Sequence, residues 1–114
     1  MGKIAVRATF HIHEGKTDDA KAFAHKCVAA VREREPRTIH YDWYLSQDGR
    51  TCLINELFED SEAALVHLET LSPFIAEGLQ LGDLKMEILG EPSDQLKEAV
   101  AMLNPKYYKT LVAL

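Results

Sequence analysis

From Lys3 to His13 the chain alternates: Ile4, Val6, Ala8, Phe10 and Ile12 fall on one side, Arg7, Thr9, His11 and His13 on the other. A period of two predicts a strand with one face on a core. After the turn segment EGKTDD, with Thr17 or Asp18 as the cap, the apolar positions change period. Ala20, Phe23, Ala24, Cys27, Val28 and Val31 recur at helical spacing. REREP reads as the polar end of that helix, closed because Pro36 disfavours helical geometry in the residue before it.

TIHYDWYLS alternates again, Ile39, Tyr41, Trp43 and Leu45 against His40, Asp42 and Tyr44. Its β-branched and aromatic content predicts a second strand. QDG signals a hairpin, so RTCLINELFE becomes a third strand antiparallel to the second. Asp60 or Ser61 caps a second helix with an apolar stripe at Ala64, Leu65, Leu68 and Leu71, interrupted at Pro73 and continued irregularly by Phe74, Ile75 and Leu79. Leu84, Met86 and Ile88 mark a fourth strand, and GEPSD opens a last helix carrying Leu96, Ala99, Val100 and Leu103. Asn104 and Pro105 then break the helix before the aromatic tail KYYKTLVAL.

The order βαββαβ plus a C-terminal helix is the split-βαβ arrangement of an α+β, ferredoxin-like fold. We expect one domain over residues 1–114, with its core at 3–91 and the C-terminal helix and tail at 92–114. Such a sheet carries its helices on one face. The opposite face would hold Arg7, Thr9, His11, His40, Asp42 and Tyr44 together with apolar side chains, a mixture suited to cover by a second copy. A homodimer enclosing a cavity follows as the expectation.

The totals narrow the function classes. With 18 acidic and 13 basic residues, a net charge of −5 argues against a nucleic-acid footprint, which needs clustered cations. No run approaches the roughly 20 apolar residues of a membrane span, and MGKIAVRATF lacks a signal-peptide pattern, so a cytoplasmic protein without a membrane partner is expected. Cys27 and Cys52 lie 25 apart without CxxC spacing, which reads as two buried thiols.

Three stretches resemble the antibiotic biosynthesis monooxygenase family. ATFHIHEGK is similar to its opening strand and turn. EPRTIHYDWYLSQD is similar to its second-strand signature, and NELFEDSEAALVHLETLSPF to its Glu-x-Trp-Glu-Asp strand end followed by an Ala-x-x-x-His-Leu helix. Together they span residues 4 to about 89. The resemblance implies a dimeric α+β barrel and a monooxygenase that works without a cofactor on quinols or polyketide-type aromatics, the electron-rich substrate itself activating dioxygen. The chain carries no GxGxxG, P-loop or HExxH motif. It departs from the family at Phe58, where the resemblance expects tryptophan, and at Arg37, where it expects the turn glycine. Without an Asn in the first strand or a Trp in the third, it does not match the haem-degrading members.

The candidate site residues follow. His40, Asp42 and Tyr44 share one face of the second strand, and a histidine beside a carboxylate can act as general base towards a phenol. The competing reading is that they pair across the hairpin or a dimer interface. Glu56, with Phe58 as stacking wall, is expected on the same cavity face as His40 and His11, paired with Arg7 or Arg50 because an unpaired buried charge is costly. That choice puts Asn55 on the helix side. His67 matches the family histidine and is either a ligand contact or a packing residue. The catalytic expectation is His40, Tyr44 and Glu56, with His11, Phe58, His67, Asp42 and Arg7 in substrate binding. His11 and His13, with His40 or Asp42, give a weaker metal-binding reading. Trp43, Tyr41 and Phe10 read as core, and Tyr107 and Tyr108 as interface or lid. A non-enzymatic ligand-binding or structural dimer of the same fold is the alternative.

Overall fold

A computed structural model describes residues 2–114. The elements run β1 (Ile4–Ile12), α1 (Thr17–Arg34), β2 (Thr38–Leu45), β3 (Thr51–Phe58), α2 (Ser61–Leu71), a 3-10 turn (Ser72–Phe74), α3 (Ile75–Leu81), β4 (Gly82–Leu89), α4 (Asp94–Val100), a second 3-10 turn (Ala101–Leu103) and β5 (Lys106–Tyr108). The strands form one sheet in the order β2-β3-β1-β4-β5. All neighbours are antiparallel except β4 and β5. The ferredoxin-like α+β fold expected from the order of elements is present.

Two expectations at the ends of elements change. The irregular stretch after Pro73 is a second short helix, α3, entered through a single 3-10 turn with the proline in its first positions, where a missing N–H costs nothing. The aromatic tail, expected as interface or lid with no secondary structure assigned, forms a strand: Lys106–Tyr108 pairs with Glu87–Leu89 as a parallel edge strand, and Gly90 N donates to Tyr108 O. Asn104, left-handed at φ 49°, ends the preceding 3-10 turn and redirects the chain.

The register fixes which side chains share a face. Val6 lies opposite Glu56 and Ile88, and Tyr41 opposite Glu56, giving an inner row under the helices. Arg7 lies opposite Asn55 and Glu87, and Asp42 opposite Asn55, giving an outer row. On the inner face Ile4, Val6, Ala8, Phe10, Cys52, Ile54 and Phe58 are buried. On the outer face Tyr44 and Leu53 are about half exposed, at 54% and 51%. An irregularity between Thr38 and His40 shifts the start of β2, and Ile39 ends up exposed instead of in the core.

The core is two clusters. One packs Phe10, Phe23, Cys27, Tyr41 and Ile54 beneath α1, and the other packs Ile4, Phe58, Ala64, Ile88, Leu96 and Val100 beneath α2 and α4. Gly82 joins α3 to β4 where a Cβ would stand 2.5 Å from His11 O and 2.8 Å from the Phe10 ring, so no larger residue fits without moving backbone. Among the described residues, no helix is long and apolar enough to cross a membrane.

Candidate functional site

Where the two clusters meet, a cavity of about 130 Å³ lies between the sheet and the helices. Phe10, Phe23, Trp43 and Phe74 wall one end; Met86, Ile88, Leu96 and Val100 wall the other. Glu56 and His67 are its acidic and imidazole groups. Both are deeply buried, at 8% and 5% exposure.

The local sequence explains how they arrive there. α2 starts at Asp60, whose side chain accepts from Ala63 N. Arg37, in the turn before β2, pairs with Asp60 and Glu59 and fixes the entry of the helix. The buried face of α2 is Ala63, Ala64, His67 and Thr70, rotated from the expected stripe so that His67 points inward while Leu65 and Leu68 pack at its margin. The His67 ring packs against Tyr41, centroids 4.7 Å apart, and Phe58, 5.0 Å apart.

Both ring nitrogens of His67 face carboxylates. Nδ1 donates to Glu35 Oε1 at 3.0 Å, and Nε2 lies 3.3 Å from Glu56 Oε1. Glu35 is the residue just past α1, held against Pro36, where it also accepts from Thr38 Oγ1 at 2.7 Å. Burial alone would lower the pKa of the imidazole, but the two glutamates outweigh it and push His67 up to about 9. Burial would likewise raise Glu35, yet the bonds from His67 and Thr38 hold it below the ordinary carboxylate value. Burial first, then the nearby Glu56 charge, raises the Tyr41 phenol; burial pushes the Cys27 thiol up to about 11. At neutral pH the site is therefore an imidazolium between two carboxylates beside a neutral phenol and a neutral thiol.

The sequence-derived site residues divide between the two faces. Glu56, Phe58 and His67 come together at the cavity. His40, Asp42, Tyr44, His11 and Arg7 lie on the outer face of the sheet, exposed. The expected facing of β3 is thus reversed: Cys52, Ile54, Glu56 and Phe58 point under the helices, and Asn55 points outward with Leu53. The buried amide that the other facing would have required does not arise, and Glu56 pairs with His67 instead of Arg7 or Arg50. Arg7 reaches Glu87 at 3.8 Å, and His40 reaches Asp42 at 3.7 Å.

His11 does not join His40 either. His11 sits opposite Thr51 and His40 opposite Leu57, six positions along one strand and so roughly 20 Å apart. His13 is exposed at the end of β1, its Nε2 3.2 Å from Asp83 and its Nδ1 3.1 Å from Gln80 O. Among the described residues, no three His, Cys, Asp or Glu side chains are grouped to hold a metal ion.

Sequence reasoning missed Glu35, hidden in a charged run that reads as a solvated helix end, and assigned Tyr41 to packing alone. One signal was there. Ala63, Ala64, His67 and Thr70 recur at helical spacing, and a histidine in the middle of such a stripe requires an acidic or polar partner from elsewhere.

Comparison with solved structures supports the fold. MupZ from Pseudomonas fluorescens superposes with a TM-score of 0.89 at 20% identity, over 100% of this chain and 94% of its own. Rv0793 from Mycobacterium tuberculosis gives 0.71 at 20% identity, over 82% of this chain and 98% of its own. SnoaB from Streptomyces nogalater, a cofactor-independent oxygenase whose N63A mutant was solved, gives 0.69 at 12% identity, over 82% and 96%. A search of curated protein sequences finds no match. The model of the family described as antibiotic biosynthesis monooxygenase matches residues 3–72, more than half of the chain. The chain belongs to the antibiotic biosynthesis monooxygenase family.

Proposed function

We propose that the protein is a cofactor-independent monooxygenase for a small quinol-type aromatic, with the substrate held in the cavity beneath the helices and Glu56 as the general base. The observation that carries this reading is the placement of Glu56 on the cavity wall, bound from behind by His67, in surroundings otherwise apolar and aromatic. SnoaB, a cofactor-independent oxygenase of the same fold, is consistent with it.

The chemistry needs one proton acceptor and a dry pocket. A quinol hydroxyl gives its proton to the Glu56 carboxylate, and the resulting anion is a far better electron donor. The ring carbon beside the oxyanion forms a C–O bond with dioxygen, and the hydroperoxide loses water to leave a hydroxyquinone. One oxygen atom enters the product and the other leaves as water; all four electrons come from the substrate. His67 holds the carboxylate oriented, Phe58 packs on His67, and Tyr41 completes the wall.

In this reading His40, Asp42, Tyr44, His11 and Arg7 belong to the contact between two copies, whose sheets meet through the outer faces. The half-exposed Leu53 and Tyr44 support it. A Leu53→Asp variant is expected to be monomeric by light scattering where the parent is dimeric; a monomeric parent overturns the assignment.

The oxygenase reading is tested by oxygen-electrode and product assays with benzene-1,4-diol and small alkylated quinols, corrected for autoxidation. Hydroxyquinone should form with air and not without it, and Glu56→Gln should lower the enzymatic rate by about 100-fold or more. Equal product formation with the parent protein and with Glu56→Gln overturns the role given to Glu56. No product above the autoxidation background with any quinol overturns the oxygenase reading and favours a binding protein of the same fold.

A further inference from the structure

The Glu35–His67–Glu56 group at the cavity holds a net negative charge that no lysine or arginine in the lining balances. Glu35, His67 and Glu56 together hold one negative charge wherever the shared proton sits: two carboxylates and an imidazolium sum to the same value as one carboxylate, one carboxylic acid and a neutral imidazole. Among the described residues, no lysine or arginine lines the cavity. Lys26 lies over the Phe74 and Phe23 rings at 5.0 and 5.9 Å, but its ammonium is paired with Glu77 at the surface. Tyr41, which packs on His67, and Cys27, which lines the cavity, stay protonated and add no charge at neutral pH. Thr38 and Thr70 are neutral. The bonds from His67 and Thr38 both go to Glu35 Oε1, and its second oxygen, Oε2, is buried without a hydrogen-bond partner.

From this arrangement we infer that the cavity selects by charge, admitting uncharged single-ring ligands that donate a hydrogen bond to Glu56 and rejecting carboxylates and phosphates, and that Glu35, which does not touch the ligand, sets this preference. The inference rests on the cavity being the substrate site, as proposed above. The size agrees, because about 130 Å³ is close to the roughly 150 Å³ of an apolar cavity that admits benzene. A ligand carboxylate entering there leaves water, meets a like charge in a poorly screened medium and finds no free cation in return, because the His67 imidazolium already has both ring nitrogens on Glu35 and Glu56. A hydroxyl loses little and gains a charge-assisted bond. Glu35 is a positioning and specificity residue: it lies behind His67, outside the cavity lining, and acts by the charge it adds.

The test compares benzyl alcohol with benzoate, nearly equal in shape, by calorimetric titration of the full chain at pH 6. Benzoate is ionised there, and a histidine facing a single carboxylate keeps its proton. The parent should bind benzyl alcohol at least about tenfold more tightly than benzoate, and Glu35→Gln, which brings the group to neutrality, should reduce that ratio by about tenfold. Glu56→Gln removes a charge from the wall itself and should narrow the ratio similarly, which keeps the inference testable if Glu35→Gln does not fold. Equal binding of the two ligands by the parent, no binding of benzyl alcohol, or an unchanged ratio in every variant that folds overturns it. Dioxygen uptake is measured separately. Charge-selective binding without uptake sinks the oxygenase reading alone, and uptake with indifferent binding sinks the selection alone.

Discussion

The two faces of the sheet carry nearly the same chemistry and put it to different ends. On the outer face His40 stands 3.7 Å from Asp42 with side chains 60% and 50% exposed. On the inner side His67 stands 3.0 Å from Glu35 and 3.3 Å from Glu56 with all three side chains under 10% exposed. Within a single copy, water screens the first pair until it is worth little. The second group has lost its water, so each charge depends on the others, and the pKa of His67 moves up to about 9. A histidine and an acid at suggestive spacing are therefore not a site; exclusion of solvent makes them one.

The largest break in this comparison comes from removing the central imidazole. His67→Leu leaves Glu35 and Glu56 buried without their shared counter-charge and is expected to destabilise the fold by about 3–5 kcal/mol in urea denaturation. Asp60→Ala, which removes the cap of the helix carrying His67 and a partner of Arg37, should cost about 1 kcal/mol. His40→Ala, in the exposed pair, should change stability by less than about 0.5 kcal/mol by the same measurement. If His40→Ala proves as costly as His67→Leu, the contrast between the faces fails.

The pH dependence of stability sharpens the same contrast. The pKa of His67 is raised on folding, so its contribution is fully present below the unfolded value near 6.5 and disappears as pH rises through about 9; the loss is on the order of 3 kcal/mol. Glu35 is lowered on folding, so its contribution is present above the unfolded value near 4.5 and is lost as pH falls through its folded value. Urea midpoints should therefore decline from pH 7 to 9, and the decline should vanish in a folded His67→Gln variant. His40→Ala should leave it in place.

Much of the fold was legible because two periods dominate it. Alternation in β1, β2, β3 and β4 and helical spacing in α1 give the element order, and hence the sheet, from local physics. The short pieces were harder to read. α3 and β5 span 7 and 3 residues and owe their form to what they pack or pair with: Gly78 fits against Phe23, and Tyr107 against Ile88. The site was legible residue by residue but not as a set. Glu56, Phe58 and His67 were all singled out from the sequence, yet they were grouped with His40, Tyr44 and His11, which the sheet places on its other side. Glu35 was not singled out at all.

The sequence by itself determined the strands and helices, their order, the family, and the presence of chemically capable side chains on β2, β3 and α2. Only the tertiary structure decided which face of β3 is inward, because Cys52, Ile54, Glu56, Phe58 and Leu53, Asn55, Leu57 are both mixed sets and alternation alone does not rank them. The choice belongs to partners far along the chain. With Glu56 inward, His67 and Glu35 supply what the buried charge needs, and with Asn55 outward, its amide is not sealed beneath the helices.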